Sequence, residues 1–302
     1  MNTPRTPQQY RDIIHSKFPS GTVIADHDTT GHWYRIPHIN ARYPSVNGRI
    51  HIFKEEGLSD WRMNKALEYV FANWKDFTDE NVMTHIGNAE QQSVTEFKDA
   101  GDIGREIHDY REQIFSKYID SGEYIAKFDD IIPVEKQDIR AVSAMGALQK
   151  FVEDYQYESI VTEMFLYSEE LKLAGTLDDI GIISTVVRKG EPACEHVMVG
   201  THCVKCPLKY KKELCLMDLK SSNQLKPIYW IQVALYYYMF QRLTGLRPKS
   251  VFILKLDKNN RSYKVEFIKN ISRVVRIAKL VLRLSDSIDW IKESRKKEVE
   301  VI

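Results

Sequence analysis

Apolar residues recur along this chain with two periods, and the change from one to the other marks its organisation. From Gln137 to Tyr155, Ile139, Val142, Met145, Leu148 and Val152 lie three or four apart, the spacing that puts side chains on one face of a helix. The pattern then shortens. Apolar and β-branched runs at 158–167, 173–187 and 214–220 predict three strands. An apolar, aromatic stretch from Trp230 to Phe240 predicts a helix. Two more strands are expected at 250–257 and 262–268 around a turn at Lys258-Asn259-Asn260, and a last helix over 270–293. Upstream, a helix is expected from near Ala100 toward Tyr118, and the residues before it mix short apolar segments with turn signals. This succession predicts an α/β core of mixed central sheet flanked by helices, preceded by a mainly helical region. Residues 1–98 are expected to form an N-terminal region and residues 99–302 the core, which carries a Cys-rich insertion at 188–215.

Charged residues interrupt the strands in a telling order. In Leu216-Met217-Asp218-Leu219-Lys220 the side chains alternate, so Asp218 and Lys220 share one face while Met217 and Leu219 point into a core. Glu163 lies in the preceding strand Ile160 to Tyr167, and Asp178 closes Gly175-Thr176-Leu177-Asp178. Magnesium and manganese take carboxylate and water oxygens, so a site for them needs acidic groups converging from separate elements. Asp178 and Asp218 are the best candidates. Glu163 completes the metal shell or holds Lys220, and a lysine beside such a metal orients the attacking water or stabilises charge on a phosphate. Gln232 and Tyr236 are four apart and share a helix face, and an amide in so apolar a helix needs partners.

The ordered set of Glu163, Gly-x-x-Asp178, Asp218-x-Lys220 and Gln232-x-x-x-Tyr236 resembles the PD-(D/E)XK nuclease superfamily, and within it the RecB-type exonucleases. Arg42-Tyr43-Pro44-Ser45-Val46, Leu58-Ser59-Asp60-Trp61-Arg62 and Asp102-Ile103-Gly104-Arg105-Glu106-Ile107-His108 resemble the N-terminal signatures of the mitochondrial genome maintenance exonuclease and related phage nucleases. The resemblance covers residues 40–260. It implies a PD-(D/E)XK core with Asp178 and Asp218 as metal ligands, Lys220 as the catalytic lysine and Glu163 as an active-site acid. It also implies that His108 approaches the metal and that Gln232 and Tyr236 hydrogen-bond near the active site or the DNA strand end. The family pattern selects Asp178, leaving its neighbour Asp179 exposed or secondary.

A net charge of +1 requires any DNA binding to come from local basic surfaces. Candidates are Lys205, Lys209, Lys211 and Lys212 around the insertion, Ser221 beside the catalytic lysine, and the C-terminal series Arg273, Arg276, Lys279 and Arg283, which also reads as a solvated helix face. Trp33, Tyr34 and Tyr43 are candidates to stack on unpaired bases or to be core aromatics. The 4 cysteines fall as Cys194-x8-Cys203-x2-Cys206-x8-Cys215, a set that suits structural zinc, with His196 and His202 as substitutes if one cysteine stands aside. An iron–sulfur cluster is the alternative, as in some RecB-type relatives, but there the cysteines flank the whole core.

No run of about 20 apolar residues predicts a membrane span. Met1 to Lys17 lacks the layout of a secretory signal, so the chain is expected in the cytoplasm, or in the host cytoplasm if phage-encoded. The function expected is a Mg²⁺- or Mn²⁺-dependent DNA exonuclease acting on single-stranded or end-containing DNA in replication, recombination or repair. The alternatives are a double-strand-resecting or flap-type nuclease, and a nucleic-acid-binding module whose activity has decayed.

Overall fold

The structure is a computed structural model and describes residues 5–18, 21–28, 31–50, 58–78, 80–122, 125–186, 198–199, 202–203 and 210–299. Helix α1 (Pro7–Lys17) is followed by strands β1 (Ile24–Asp28), β2 (Gly31–Ile36) and β3 (Ala41–Pro44), short helix α2 (Val46–Arg49), and helices α3 (Leu58–Asn73), α4 (Val82–Ser121) and α5 (Ile139–Tyr155). Strands β4 (Glu158–Ser168) and β5 (Leu173–Val186) come next, then a small pair β6 (Met198–Val199) and β7 (His202–Cys203). The chain continues through β8 (Tyr210–Lys220), α6 (Pro227–Thr244), β9 (Ser250–Leu256), β10 (Tyr263–Phe267) and α7 (Ile271–Val299).

The fold is mixed α/β. Its central sheet has 5 strands in the order β10-β9-β8-β5-β4. The β4-β5-β8 neighbours are antiparallel, and β8 and β9 are parallel because α6 carries the chain back across the sheet. One sheet face packs on an apolar cluster containing Leu214, Leu216, Val233, Ala234 and Phe240. The other packs on a cluster of Met217, Leu219, Met145, Leu148, Phe151 and Phe252. The alternation in β8 thus decides which layer each side chain joins.

Two expectations for the N-terminal part change. It holds a 3-stranded antiparallel sheet, β1-β2-β3, as well as helices. The division at 98/99 falls inside α4, a continuous helix of 40 residues, which begins well before Ala100. Its buried Ile103, Ile107, Tyr110 and Ile114 keep helical spacing, and Gly122 ends it at φ 70°. Strand β8 also starts earlier than expected, so 210–215 belong to the sheet and not to the insertion. Among the described residues no helix is long and apolar enough to cross a membrane.

Candidate active site

Strands β5 and β8 bring two carboxylates together. Their register pairs Asp179 with Met217, and the Leu219 backbone N–H donates to Asp178 Oδ2 at 2.6 Å. Asp218 is 1% exposed, and Lys220 Nζ lies 2.6 Å from its Oδ2. The ammonium is the charged partner of that buried oxygen. Lys220 also lies over the Tyr229 ring, 5.2 Å from its centroid.

Helix α4 and strand β4 complete the set. His108 Nδ1 is 3.5 Å from Asp178 Oδ1. Glu163 adopts φ 49°, a left-handed backbone inside a strand that costs free energy and must be held by its surroundings. One ligand atom from each of His108, Glu163 and Asp178 lies within 4.8 Å of the others. A ring nitrogen and two carboxylate groups so close together fit a divalent cation, and Asp218, outside this group of three, is taken by Lys220.

Glu163 does not hold Lys220, which pairs with Asp218 instead. Its partner is Arg111, a residue the sequence reading missed. Arg111 is 0% exposed. Its Nη2 donates to Glu163 Oε1, and its Nη1 donates to the Asp178 carbonyl and to Thr162 Oγ1, the latter at 3.0 Å. Asp179 Oδ2 is 3.8 Å away. Buried without these partners, a guanidinium would be prohibitively costly; with them it ties α4, β4 and β5 together behind the site. Asp179, expected to be exposed or secondary, is not exposed: its carboxyl accepts from Tyr157 Oη and from Ser159 Oγ, the latter at 2.8 Å.

The electrostatics separate the acids. Burial pushes Glu163 up to about 7 against the pull of Arg111, and Asp218 up to about 6 against that of Lys220. Burial likewise raises Asp179 to about 7. Asp178 is buried too, but His108, Arg111 and Lys220 outweigh desolvation and hold it well below the usual carboxylate range. Burial would depress Lys220, yet Asp218 and Asp178 raise it, so it stays an ammonium.

Gln232 and Tyr236 reach this region from α6. Gln232 Nε2 donates to Tyr236 Oη at 3.2 Å, and both are buried. The Tyr236 ring lies against Gly175, where an added Cβ would meet Cε1 at 2.7 Å. The glycine of Gly-x-x-Asp therefore leaves room for the tyrosine of Gln-x-x-x-Tyr.

The DNA-contact candidates divide. Ser221 lines a cleft of about 370 Å³ with Lys220, His108 and Arg105. Lys212 does not join it: it stands at the opposite end of β8, paired with Glu158 at 2.5 Å. Lys205, Lys209 and the Lys211 side chain lie outside the described residues. Tyr34 is core, donating to or accepting from Thr176 Oγ1 at 2.9 Å, while Trp33 is half-buried 4.8 Å beneath the Arg42 guanidinium and Tyr43 is half-buried. Of the C-terminal basic series, Arg273, Arg276 and Arg283 are exposed, and Lys279 pairs with Glu170 at 2.8 Å.

Cys215 leaves the expected zinc set. It is fully buried on β8 opposite Gly181, in the layer of Met217 and Phe252, and burial pushes its thiol well up. Cys194, Cys206 and the Cys203 side chain lie outside the described residues.

No protein-family model and no curated protein matches the chain. Among solved structures, "Crystal structure of SSO0001" is similar at 11% identity and a TM-score of 0.22, covering 60% of this chain and 72% of that one.

Proposed function

We propose that this chain is a divalent-metal-dependent DNA exonuclease on a PD-(D/E)XK core, acting on single-stranded or end-containing DNA. The observation that supports it is the convergence of His108, Glu163 and Asp178 within 4.8 Å, flanked by the Asp218 to Lys220 pair at 2.6 Å. His108, Glu163 and Asp178 would hold the cation, with Asp218 beside them. Bound there, it would acidify a water and neutralise charge on the scissile phosphate. Lys220, kept protonated by Asp218 and Asp178, is a donor and not a base, suited to charge that builds on phosphate oxygens during attack. The Asp218 carboxylate, paired with Lys220, would accept the proton that the attacking water loses as the bond to the leaving oxygen breaks. Arg111 keeps Glu163 and the Asp178 backbone in register.

The test is incubation of end-labelled single-stranded, duplex and circular DNA with Mg²⁺, Mn²⁺, Ca²⁺ or excess EDTA. The reading expects release from linear substrates with Mg²⁺ or Mn²⁺, little with Ca²⁺ and none with EDTA. Cleavage of circles would favour an endonuclease, cleavage in EDTA would exclude the metal mechanism, and DNA binding without any cleavage would favour the decayed module.

A further inference from the structure

The candidate site opens on two sides of different chemistry. Between α4 and the start of α6 lies the cleft of about 370 Å³, walled by two cationic side chains, Arg105 and Lys220, one carboxylate, Asp109, and the hydroxyls of Ser221 and Ser222 among others. Between α1, β1 and β4 lies a larger pocket of about 670 Å³, walled by Phe18, Ile24, Ala25, Val161, Glu163 and Phe165 among others. Glu163 belongs both to this wall and to the group of three ligand atoms, so the pocket begins where the proposed chemistry ends.

The pocket's lining limits what it takes. Among the described residues it has no lysine or arginine, and its ionisable residues there are His15 and Glu163. A phosphate would lie in an apolar wall beside a carboxylate, without a cation to offset its charge. A flat, uncharged heterocycle meets no such penalty. Aromatic side chains such as Phe165 and Phe18 offer stacking surfaces, and among the described residues β1 and β4 are each the last strand of their sheet, where peptide groups can meet the hydrogen-bonding edge of a base. The volume falls within the range of about 300–1,000 Å³ typical of small-molecule sites.

The geometry points to a nucleobase subsite: the pocket takes the base of an unpaired terminal nucleotide while the phosphates of the same strand run along the polar cleft. This rests on the nuclease reading and adds a substrate preference to it. A base held in a duplex cannot enter without unpairing, so single-stranded or frayed ends are preferred over blunt ones.

The experiment compares two single-stranded oligonucleotides that differ only at the nucleotide to be released, one carrying its base and one abasic, each labelled and cleaved with Mn²⁺. Wild-type chain should process the abasic end about tenfold more slowly or worse, the scale of one lost base stack. Ala25→Trp, at an exposed β1 position in the pocket wall, and Phe165→Ala, which removes a stacking ring, should slow the natural end and shrink that ratio toward one. Melting curves check that the variants fold, and the wild-type comparison stands without them. Equal processing of the two ends by wild type, or an unchanged ratio in folded Ala25→Trp and Phe165→Ala, overturns the subsite while leaving the nuclease reading intact. That outcome would also fit a peptide strand as the occupant. Failure to cleave any DNA overturns both.

Discussion

The carboxylates and the cysteines of this chain meet opposite fates. Asp178 and Asp218, with Glu163 and His108, come from four elements spread from α4 to β8 and end in one region of the fold. The cysteines lie within one short stretch, yet Cys215 turns into the core. Strand register explains both. Asp218 and Cys215 are three apart on β8, so alternation sends them to opposite faces however near they are in sequence. Nearness along a strand is a poor guide to a shared site; parity and pairing are better ones.

The largest effect is expected behind the assembled cluster. Arg111→Met would leave Glu163 and Asp179 without their buried counter-charge, and removing one partner of such a network costs about 3–5 kcal/mol. Urea unfolding should register the loss, with Arg111→Lys recovering only part because the ammonium cannot reproduce the guanidinium fork. A small change on Arg111→Met would mean that the acids are held by other means.

On the site's open side, Asp218→Asn and Lys220→Ala should each lower cleavage at least about 10²-fold while leaving the fold and DNA binding in place. Asp218→Asn removes a carboxylate raised by burial but leaves Lys220 with Asp178 as its remaining counter-charge, so its melting temperature should change less than that of Arg111→Met. Near wild-type turnover in either variant would separate the cluster from the chemistry proposed for it.

Much of this arrangement was legible in the sequence. The alternation Met217, Asp218, Leu219, Lys220 gave the facing of β8 correctly, and the same parity assigns Cys215 to the core beside Met217 and Leu219. The close Cys-x-x-Cys spacing drew attention away from it. Arg111 also left a trace, since it falls on the apolar stripe of Ile103, Ile107, Tyr110 and Ile114, where a charge signals a buried partner. The left-handed backbone of Glu163 left none, because tertiary contacts impose it. The N-terminal sheet was hidden because its strands are short and partly polar, as in Ile24-Ala25-Asp26-His27-Asp28.

Gly175→Ala should cost about 1–3 kcal/mol, the range for overpacking a filled interior, because the new methyl meets Tyr236 at 2.7 Å and Val46 Cγ2 at 3.3 Å. If the ring moves aside, the Gln232 contact shifts with it, and cleavage should fall more than stability does. An unaltered melting temperature and rate would show that Gly175 is not needed for this packing.

The buried acids also predict a pH dependence. Without divalent cation, Glu163 and Asp179 near 7 and Asp218 near 6 keep protons in the folded chain that the unfolded chain releases in the ordinary carboxylate range. Between about pH 4 and 7 the folded state binds more protons, so stability falls as pH rises through that window. Asp178, held low, has the opposite sign and loses its contribution only as pH falls below about 4. Cation-free protein should therefore melt lower at pH 7.5 than at pH 5. Mn²⁺ should raise the melting point more at pH 7.5, because ligands bind metal deprotonated. A flat profile would show that these groups are not protonated more readily in the folded chain.

The smallest effect is expected at Cys215, where the two sets part. Its thiol is a small buried apolar group on the core face of β8, so Cys215→Ala should cost only about 1 kcal/mol. Zinc measured by elemental analysis should not change with it. If the insertion binds zinc, Cys203→Ser should lower the zinc content, with His196 or His202 completing the set in place of Cys215. A loss of zinc on Cys215→Ala would require β8 to release that thiol from the core, and would place the cysteines and the carboxylates under the same rule after all.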